Sequence, residues 1–248
     1  MMYRSAIIIV VISLFFGTCS LDFKRGNGNM ETSEFEIESF RKIYVGGNYE
    51  LKMIPAKVCR VVIETDENLL RYINVEQHEE TLNINNVHNL KSSRGIFIEV
   101  YYTALEQIYS TGTSKIGHEG VIEAGELRIN LSGAGAIDLD IETVRVQVEM
   151  SGAGVIILSG NTEIQEAHIS GAGGLMAEKL QSKECDIHLG GIGGANVYVT
   201  EKLEASITGI GGIQYSGNPQ LIEKRITGLG KIVRNEEFID NELSEELP

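Results

Sequence analysis

From about residue 40 onward, hydrophobic and polar positions alternate in short runs broken by glycine, serine and asparagine. Tyr49-Glu-Leu-Lys-Met-Ile54, Arg60-Val-Val-Ile-Glu-Thr65, Thr81-Leu-Asn-Ile-Asn85, Ile96-Phe-Ile-Glu-Val-Tyr-Tyr102, Val144-Arg-Val-Gln-Val148 and Ala195-Asn-Val-Tyr-Val199 carry the pattern. A period of two over such runs predicts half-buried strands. Turn chemistry lies between them, as in Ser159-Gly-Asn161 and Ser216-Gly-Asn-Pro219. Only Glu67 to Ile73 reads as a helical turn. The class is all-β.

The second half of the chain repeats itself. Leu131-Ser-Gly-Ala-Gly135, Met150-Ser-Gly-Ala-Gly154 and Ile169-Ser-Gly-Ala-Gly173 are followed by Leu189-Gly-Gly-Ile-Gly193, Ile207-Thr-Gly-Ile-Gly211 and Ile226-Thr-Gly-Leu-Gly230. A degraded copy, Tyr109-Ser-Thr-Gly112-Thr, precedes them. The aligned glycines Gly112, Gly133, Gly152, Gly171, Gly191, Gly209 and Gly228 are 21, 19, 19, 20, 18 and 19 residues apart. Helical repeats are excluded, because each unit holds two or more glycines at about 1 kcal/mol apiece. A unit of strand, corner and strand cannot bury its apolar side alone. Stacked in parallel at about 4.8 Å, successive coils bury it against one another. The expected architecture is a parallel β-helix, or β-solenoid, of about seven coils of 18–21 residues over 109–232, with an N-terminal β cap or irregular coils over 35–108.

Columns through the repeat fit that stack. Two positions before each glycine stand Leu131, Met150, Ile169, Leu189, Ile207 and Ile226, which are expected to point inward. One position after it stand Ala134, Ala153, Ala172, Ile192, Ile210 and Leu229, also apolar. Immediately before it runs a hydroxyl ladder, Ser132, Ser151, Ser170, Thr208 and Thr227, broken once by Gly190. Glycine at the corner supplies either a left-handed backbone or a close approach between coils.

The N-terminus follows a different pattern. Arg4 precedes an apolar stretch, Ala6 to Phe16, interrupted only by Ser13, and Gly17-Thr18-Cys19 follows. A spanning helix needs about 20 apolar residues, so residues 1–18 are expected to be a secretory signal peptide. Phe16-Gly17-Thr18-Cys19 resembles the end of a bacterial lipoprotein signal, which implies cleavage before Cys19 and lipidation of its thiol. Cleavage by the ordinary peptidase, with Cys19 incidental, is the alternative. Ser20 to Ser33, rich in Gly and Asn, reads as a tether, so 19–34 would link a lipid to a single domain over 35–232. Residues 233–248 form an acidic tail or short capping helix.

Repeated Ser-Gly-Ala-Gly followed by an apolar residue, behind such a leader, resembles the putative auto-transporter adhesin head GIN domain family, formerly a domain of unknown function common in Bacteroidetes. The resemblance runs from about 38 to 232 and takes in Phe40-Arg-Lys-Ile-Tyr-Val-Gly-Gly47 and Val61-Val-Ile-Glu64. It implies a right-handed parallel β-solenoid and a cell-envelope location, as an outer-membrane lipoprotein on the surface or periplasmic side. The stretch after residue 232 is too short for a translocating barrel, so self-transport is not expected.

Charge narrows the partners. Lys+Arg number 21 and Asp+Glu 35, a formal net charge of −14, which opposes binding to nucleic-acid phosphates and electrostatic attraction to anionic lipid. The 28 glycines come with 3 prolines and no G-X-Y period, which excludes collagen. Cys59 and Cys185 lie in different parts of the fold and are expected as unpaired buried thiols, although an exported protein could join them.

Catalytic chemistry is sparse. No G-x-G-x-x-G opens a helix and no G-x-x-x-x-G-K-[ST] occurs. Gly190 to Tyr198 is glycine-rich like a calcium-binding nonapeptide, but Ala195 stands where aspartate is needed. Glu149, His168 and His188, three positions before successive corner glycines, would form one outward column whose ligand types suit a divalent metal; an ordinary exposed polar ladder explains them without a metal and is the preferred reading. Asp138, Asp140 and Asp186 are the candidate acids of a polysaccharide-active β-helix enzyme, with Tyr101, Tyr102, Tyr198 and Tyr215 available to stack on a sugar. Asp138 and Asp140 share one strand face at i, i+2, so solvation accounts for them. The sequence therefore points to a non-catalytic binding or adhesion-type envelope protein without a cofactor, held to the membrane by its lipid and contacting an unknown glycan or protein. A lipid or apolar-ligand role would require a pocket between cap and first coils, and a structural envelope role is the third reading.

Overall fold

The computed structural model describes residues 23–235. The segment expected to be a signal peptide, Cys19 and the acidic stretch beyond Asn235 lie outside the described residues. Short runs of alternating residues become β1 (Phe23–Arg25), β2 (Met30–Glu36), β3 (Lys42–Gly46), β4 (Glu50–Pro55) and β5 (Arg60–Asp66). A single helical turn, α1 (Glu67–Leu70), precedes β6 (Ile73–His78), β7 (Thr81–Asn86), β8 (Asn89–Lys91) and β9 (Phe97–Tyr102). The coils follow as β10 (Gln107–Ser110), β11 (Lys115–His118), β12 (Ile122–Leu131), β13 (Ala134–Met150), β14 (Ala153–Ile169), β15 (Ala172–Leu189), β16 (Ile192–Ile207), β17 (Ile210–Ser216), β18 (Leu221–Ile226) and β19 (Leu229–Arg234).

Strands stack on both sides of the glycine corner. Ahead of it the order is β7, β3, β10, β12, and beyond it β9, β4, β11, β13, all paired in parallel. From there β13, β14, β15 and β16 stack in register at the corner, with Ala134, Ala153, Ala172 and Ile192 as successive partners, and bulges shift the register of β14–β15 after Ile157 and of β15–β16 after Ala177 and Ser182. In the last layer β18 pairs with β16, and β19 with β17. The molecule is a β-solenoid of about seven turns. Its interior is apolar: Leu131, Met150, Ile169, Leu189 and Ile207 are at most 1% exposed, and Ile137, Ile156, Leu175 and Ile213 face them from beyond the corner. Each such side chain contributes about 1.5–3 kcal/mol by leaving water. At the far end no described residue covers the stack, and Ile226 of the same inward column is 44% exposed.

Each long strand also bends at a second corner, where buried Thr143, Thr162 and Ser182 replace aliphatic residues. The hydroxyl of Thr143 donates to that of Thr162 at 2.9 Å, and Ser182 Oγ to the Tyr198 carbonyl at 2.6 Å. Burial without a partner would cost these hydroxyls more than the hydrogen bonds return.

Two expectations need correction. The tether does not extend through residue 34: β1 pairs with β8 in parallel, and β2 pairs with β5 antiparallel from Met30↔Asp66 to Glu36↔Arg60. Composition pointed to a loop, but a long-range carboxylate organises this segment. Asp66 is fully buried and accepts hydrogen bonds from Gly28 N, Ser93 N, Ser92 Oγ and Ser93 Oγ at 2.6–2.8 Å. Burial alone would raise its pKa. The four donors outweigh that and hold the carboxyl well below the usual range.

The second correction concerns where the regular stack begins. Gly46-Gly47 joins β3 to β4 and lies directly under the Gly112 corner, so an additional corner precedes the seven recognised from sequence. The chain leaves this coil for β5, α1 and β6, then returns to lay β7 and β9 on its other side. That detour separates Gly47 from Gly112 by far more than one repeat.

Candidate functional site

The corner glycines are required by close approach. A Cβ on Gly133, Gly152, Gly171, Gly191 or Gly209 would meet the carbonyl oxygen of the preceding coil's corner glycine inside 3.0 Å, closer than real Cβ atoms come. That carbonyl is already occupied as an acceptor. Ala153 N donates to Gly133 O at 2.9 Å, Ala172 N to Gly152 O at 3.0 Å and Ile192 N to Gly171 O at 3.0 Å. The corner thus holds neighbouring coils in fixed register and projects two outer faces, one ahead of it and one beyond.

The face ahead is polar. Tyr109, Asn130, Glu149, His168, His188, Ser206 and Arg225 occupy one outward column on successive coils. Tyr44 precedes them, its ring centroid 5.0 Å from that of Tyr109. The structure therefore brings Glu149, His168 and His188 into consecutive register. The two imidazoles stack with centroids 4.6 Å apart. His188 Nδ1 lies 2.8 Å from Ser206 Oγ and its Nε2 3.3 Å from Thr208 Oγ1, so both ring nitrogens face hydroxyl partners. Among the described residues no group of three or more His, Cys, Asp or Glu side chains is placed to hold a metal. Between this column and the hydroxyl ladder runs a shallow groove of about 160 Å3, lined by Tyr109, Asn130, Glu149, His168, Ser151 and Ser170 among others.

The face beyond the corner is apolar, which the sequence pattern did not reveal. Ala134, Ala153, Ala172, Ile192, Ile210 and Leu229 point outward, with Ile192 62%, Ile210 51% and Leu229 72% exposed. Inside and outside alternate without interruption through the corner, so residues two before and one after the glycine, three positions apart, take opposite directions. Ala136, Val155, Gly174, Gly194, Gly212 and Lys231 form the next outward column, then Asp138, Ile157, Met176, Asn196, Gln214 and Val233.

The remaining candidates are scattered. Asp138 and Asp140 are exposed on one strand face. Asp186 sits between Glu166 and Glu204, and its pKa is raised by burial and then by those carboxylates. Tyr101 lies under the Arg60 guanidinium at 4.0 Å and donates to Glu99 at 2.8 Å. Tyr102 is buried, its hydroxyl pushed up to about 12, and lies 2.5 Å from His118 Nε2. The other nitrogen of His118 donates to the Gly120 carbonyl at 2.9 Å, so Nε2 accepts from the tyrosine; burial lowers the imidazole pKa. Tyr215 is buried against Lys224, while Tyr198 is partly exposed. Cys59 and Cys185 are buried and free, and burial pushes the Cys185 thiol up, away from reactivity.

A cleft of about 520 Å3 opens where cap and first coil meet, the place where an apolar ligand was expected to need one. Phe23, Leu90, Ile96 and Phe97 supply its apolar wall and Lys91, Arg94 and Lys115 its cations.

Compared with known proteins, residues 39–219 match the model of a family described as putative auto-transporter adhesin, head GIN domain. Among solved structures, a putative adhesin from Bacteroides fragilis is 21% identical, with a TM-score of 0.83 over 86% of this chain and all of that one. A putative lipid binding protein from Parabacteroides distasonis is 24% identical, with a TM-score of 0.73 over 87% of this chain and all of that one. A putative adhesin from Parabacteroides merdae is 21% identical, with a TM-score of 0.69 over 87% and 100%. At these identities the likeness is one of fold. No curated protein matches the chain.

Proposed function

Because the chain belongs to the putative auto-transporter adhesin head GIN domain family, we propose that it is a non-catalytic binding protein of the cell envelope. In this reading it is exported, anchored by lipid on Cys19, and engages an extended ligand along its polar face. The observation that carries the reading is the Tyr109-to-His188 column. It sets a ring, an amide, a carboxylate and imidazoles at one-coil intervals beside a hydroxyl ladder. Side chains of this kind both donate and accept hydrogen bonds, and the rigid stack fixes their spacing. A glycan, with hydroxyls along its length and apolar ring faces for Tyr109, suits that strip.

The order of β1 bears on the anchor. Only residues 20–22 separate Cys19 from Phe23, at most about 14 Å of chain. A lipid on Cys19 would hold the cap directly against the bilayer.

Protease treatment of intact cells, with a periplasmic control, tests the location. Digestion while the control survives supports an outward-facing adhesin; survival until the outer membrane is opened removes adhesion. Binding to a glycan array, lost in Glu149→Ala and His168→Ala, tests the face. Binding that ignores both substitutions would dismiss it.

The cleft between cap and first coil favours a second reading, an amphipathic anionic ligand held by Phe23, Phe97, Lys91 and Arg94. Lipid in an organic extract of the purified chain, lost in Phe97→Asp, would support it over the first. An extract without lipid would remove it.

A further inference from the structure

The apolar face is graded in size along the solenoid. In its first column the three early coils carry Ala134, Ala153 and Ala172, whereas the three late coils carry Ile192, Ile210 and Leu229. The second column has Val155 in an early coil and Gly212 in a late one, with Gly174 and Gly194 between them. Charge differs between the ends of these six coils, with Asp138 in the first and Lys231 in the last; Lys115 of β11 lies one coil before Ala136, paired with Glu50 at 3.8 Å.

A two-fold axis lying in this face, perpendicular to the solenoid axis and passing between the coils of Ala172 and Ile192, reverses coil order while keeping columns in line. Under that operation Leu229 of one copy meets Ala134 of the other, Ile210 meets Ala153, and Ile192 meets Ala172. Val155 meets Gly212, and the two central glycines face each other. Lys231 comes opposite Ala136, with Asp138 of the second copy one column away. In the first column, and at Val155 in the second, each large side chain is thereby matched with a small one, while in the third column Ile157 meets Gln214, Met176 meets Asn196 and Asp138 meets Val233. Constant coil spacing keeps all six layers aligned.

From this self-complementarity we infer that the face beyond the glycine corner is an isologous interface between two copies of this chain. Six coils at about 4.8 Å and seven residues at about 3.3 Å give roughly 600 Å2 in projection. Accessible surface exceeds projection, so the face is on the scale of the ~800 Å2 per partner of a standard interface. Exposed Met176, Ile192, Ile210 and Leu229 supply an apolar centre, as in the core of homodimer interfaces. A membrane is a poorer occupant, since Asp138, Asp140 and Glu142 border the face and would repel anionic lipid. The inference stands apart from the ligand assigned to the polar face.

Sedimentation velocity of the full chain in mild detergent, from 1 to 100 µM, tests it. The expected species is a dimer. Ile210→Asp and Asp138→Lys should each weaken dimerisation at least tenfold, and Asp138→Lys combined with Lys231→Asp should restore it relative to the single change. Circular dichroism verifies that these surface variants fold. A monomer throughout the range overturns the inference. A dimer indifferent to Ile210→Asp also overturns it, by placing the interface elsewhere, and so does a charge reversal that fails to rescue.

Discussion

The cap and the repeat stack the same kind of strand but secure it differently. Between β12 and β19 the chain runs coil upon coil in sequence order, and backbone groups at the corner join each layer to the last. In the cap, strands meet out of order, antiparallel pairs mix with parallel ones, and side chains close the gaps. Asp66 gathers four donors from two loops, Tyr49 donates to Asn86 at 2.8 Å, and Arg41 pairs with Glu106 and Glu80. Translation alone organises the repeat, so whatever fits one layer fits the next. The cap lacks that symmetry and relies on specific polar contacts, which makes it the pH-sensitive half.

Substituting the corner should have the largest effect. Gly171→Val would drive side-chain atoms into the Gly152 carbonyl, and urea unfolding is expected to show a loss of about 4 kcal/mol or more. Gly125→Ala, with no atom near the new methyl, should stay within about 0.5 kcal/mol. Equal losses at both sites would mean that the corner carbonyls can yield.

Next comes the cap. Asp66→Asn keeps the shape but loses the charge, and should cost about 2 kcal/mol at neutral pH. Because the folded carboxyl titrates below its ordinary value of ~3.9, this stabilisation is complete above that value and disappears as the pH falls through the folded pKa. Thermal unfolding of both proteins from pH 7 to pH 2 should show a gap that narrows below the ordinary carboxylate value. A gap of unchanged size at pH 2 would assign the loss to packing.

A change in the opposite direction is expected inside the repeat. Gln165 lies between Val146 and Cys185 in an inward column, fully buried, with neither amide atom hydrogen-bonded. Gln165→Leu should stabilise the protein by about 1 kcal/mol in urea unfolding; a loss would reveal a bound water in that layer. The smallest effect belongs to the exposed Lys183–Glu163 pair at 2.8 Å. Lys183→Ala should leave the urea midpoint essentially unchanged, because neighbouring coils are held by backbone.

The repeat was legible because each of its units experiences nearly the same surroundings, so period and column stand out from one sequence. The same logic hid Gly47, whose stacking partner is 65 positions away because seven strands and a helical turn intervene. Strands β1 and β2 were missed for a related reason. Nothing local in Phe23 to Glu36 signals order; its partners are Asp66, Asn68, β5 and β8. At the candidate site, register placed Glu149, His168 and His188 together from sequence alone. The outward direction of the Ala134-to-Leu229 column follows from a period of two counted from buried Leu131, but its apolar character fits either side of the wall and hid it. The cap cleft was not legible either, being assembled from four separate stretches of chain.

The corner ladder has an evolutionary consequence. Since every layer offers the next one the same carbonyl at the same height, duplicating or deleting one 18–21-residue segment of gene adds or removes a whole layer without opening a seam. Length is then inherited in steps of about 5 Å, and a lineage can extend or shorten the molecule without redesigning either end.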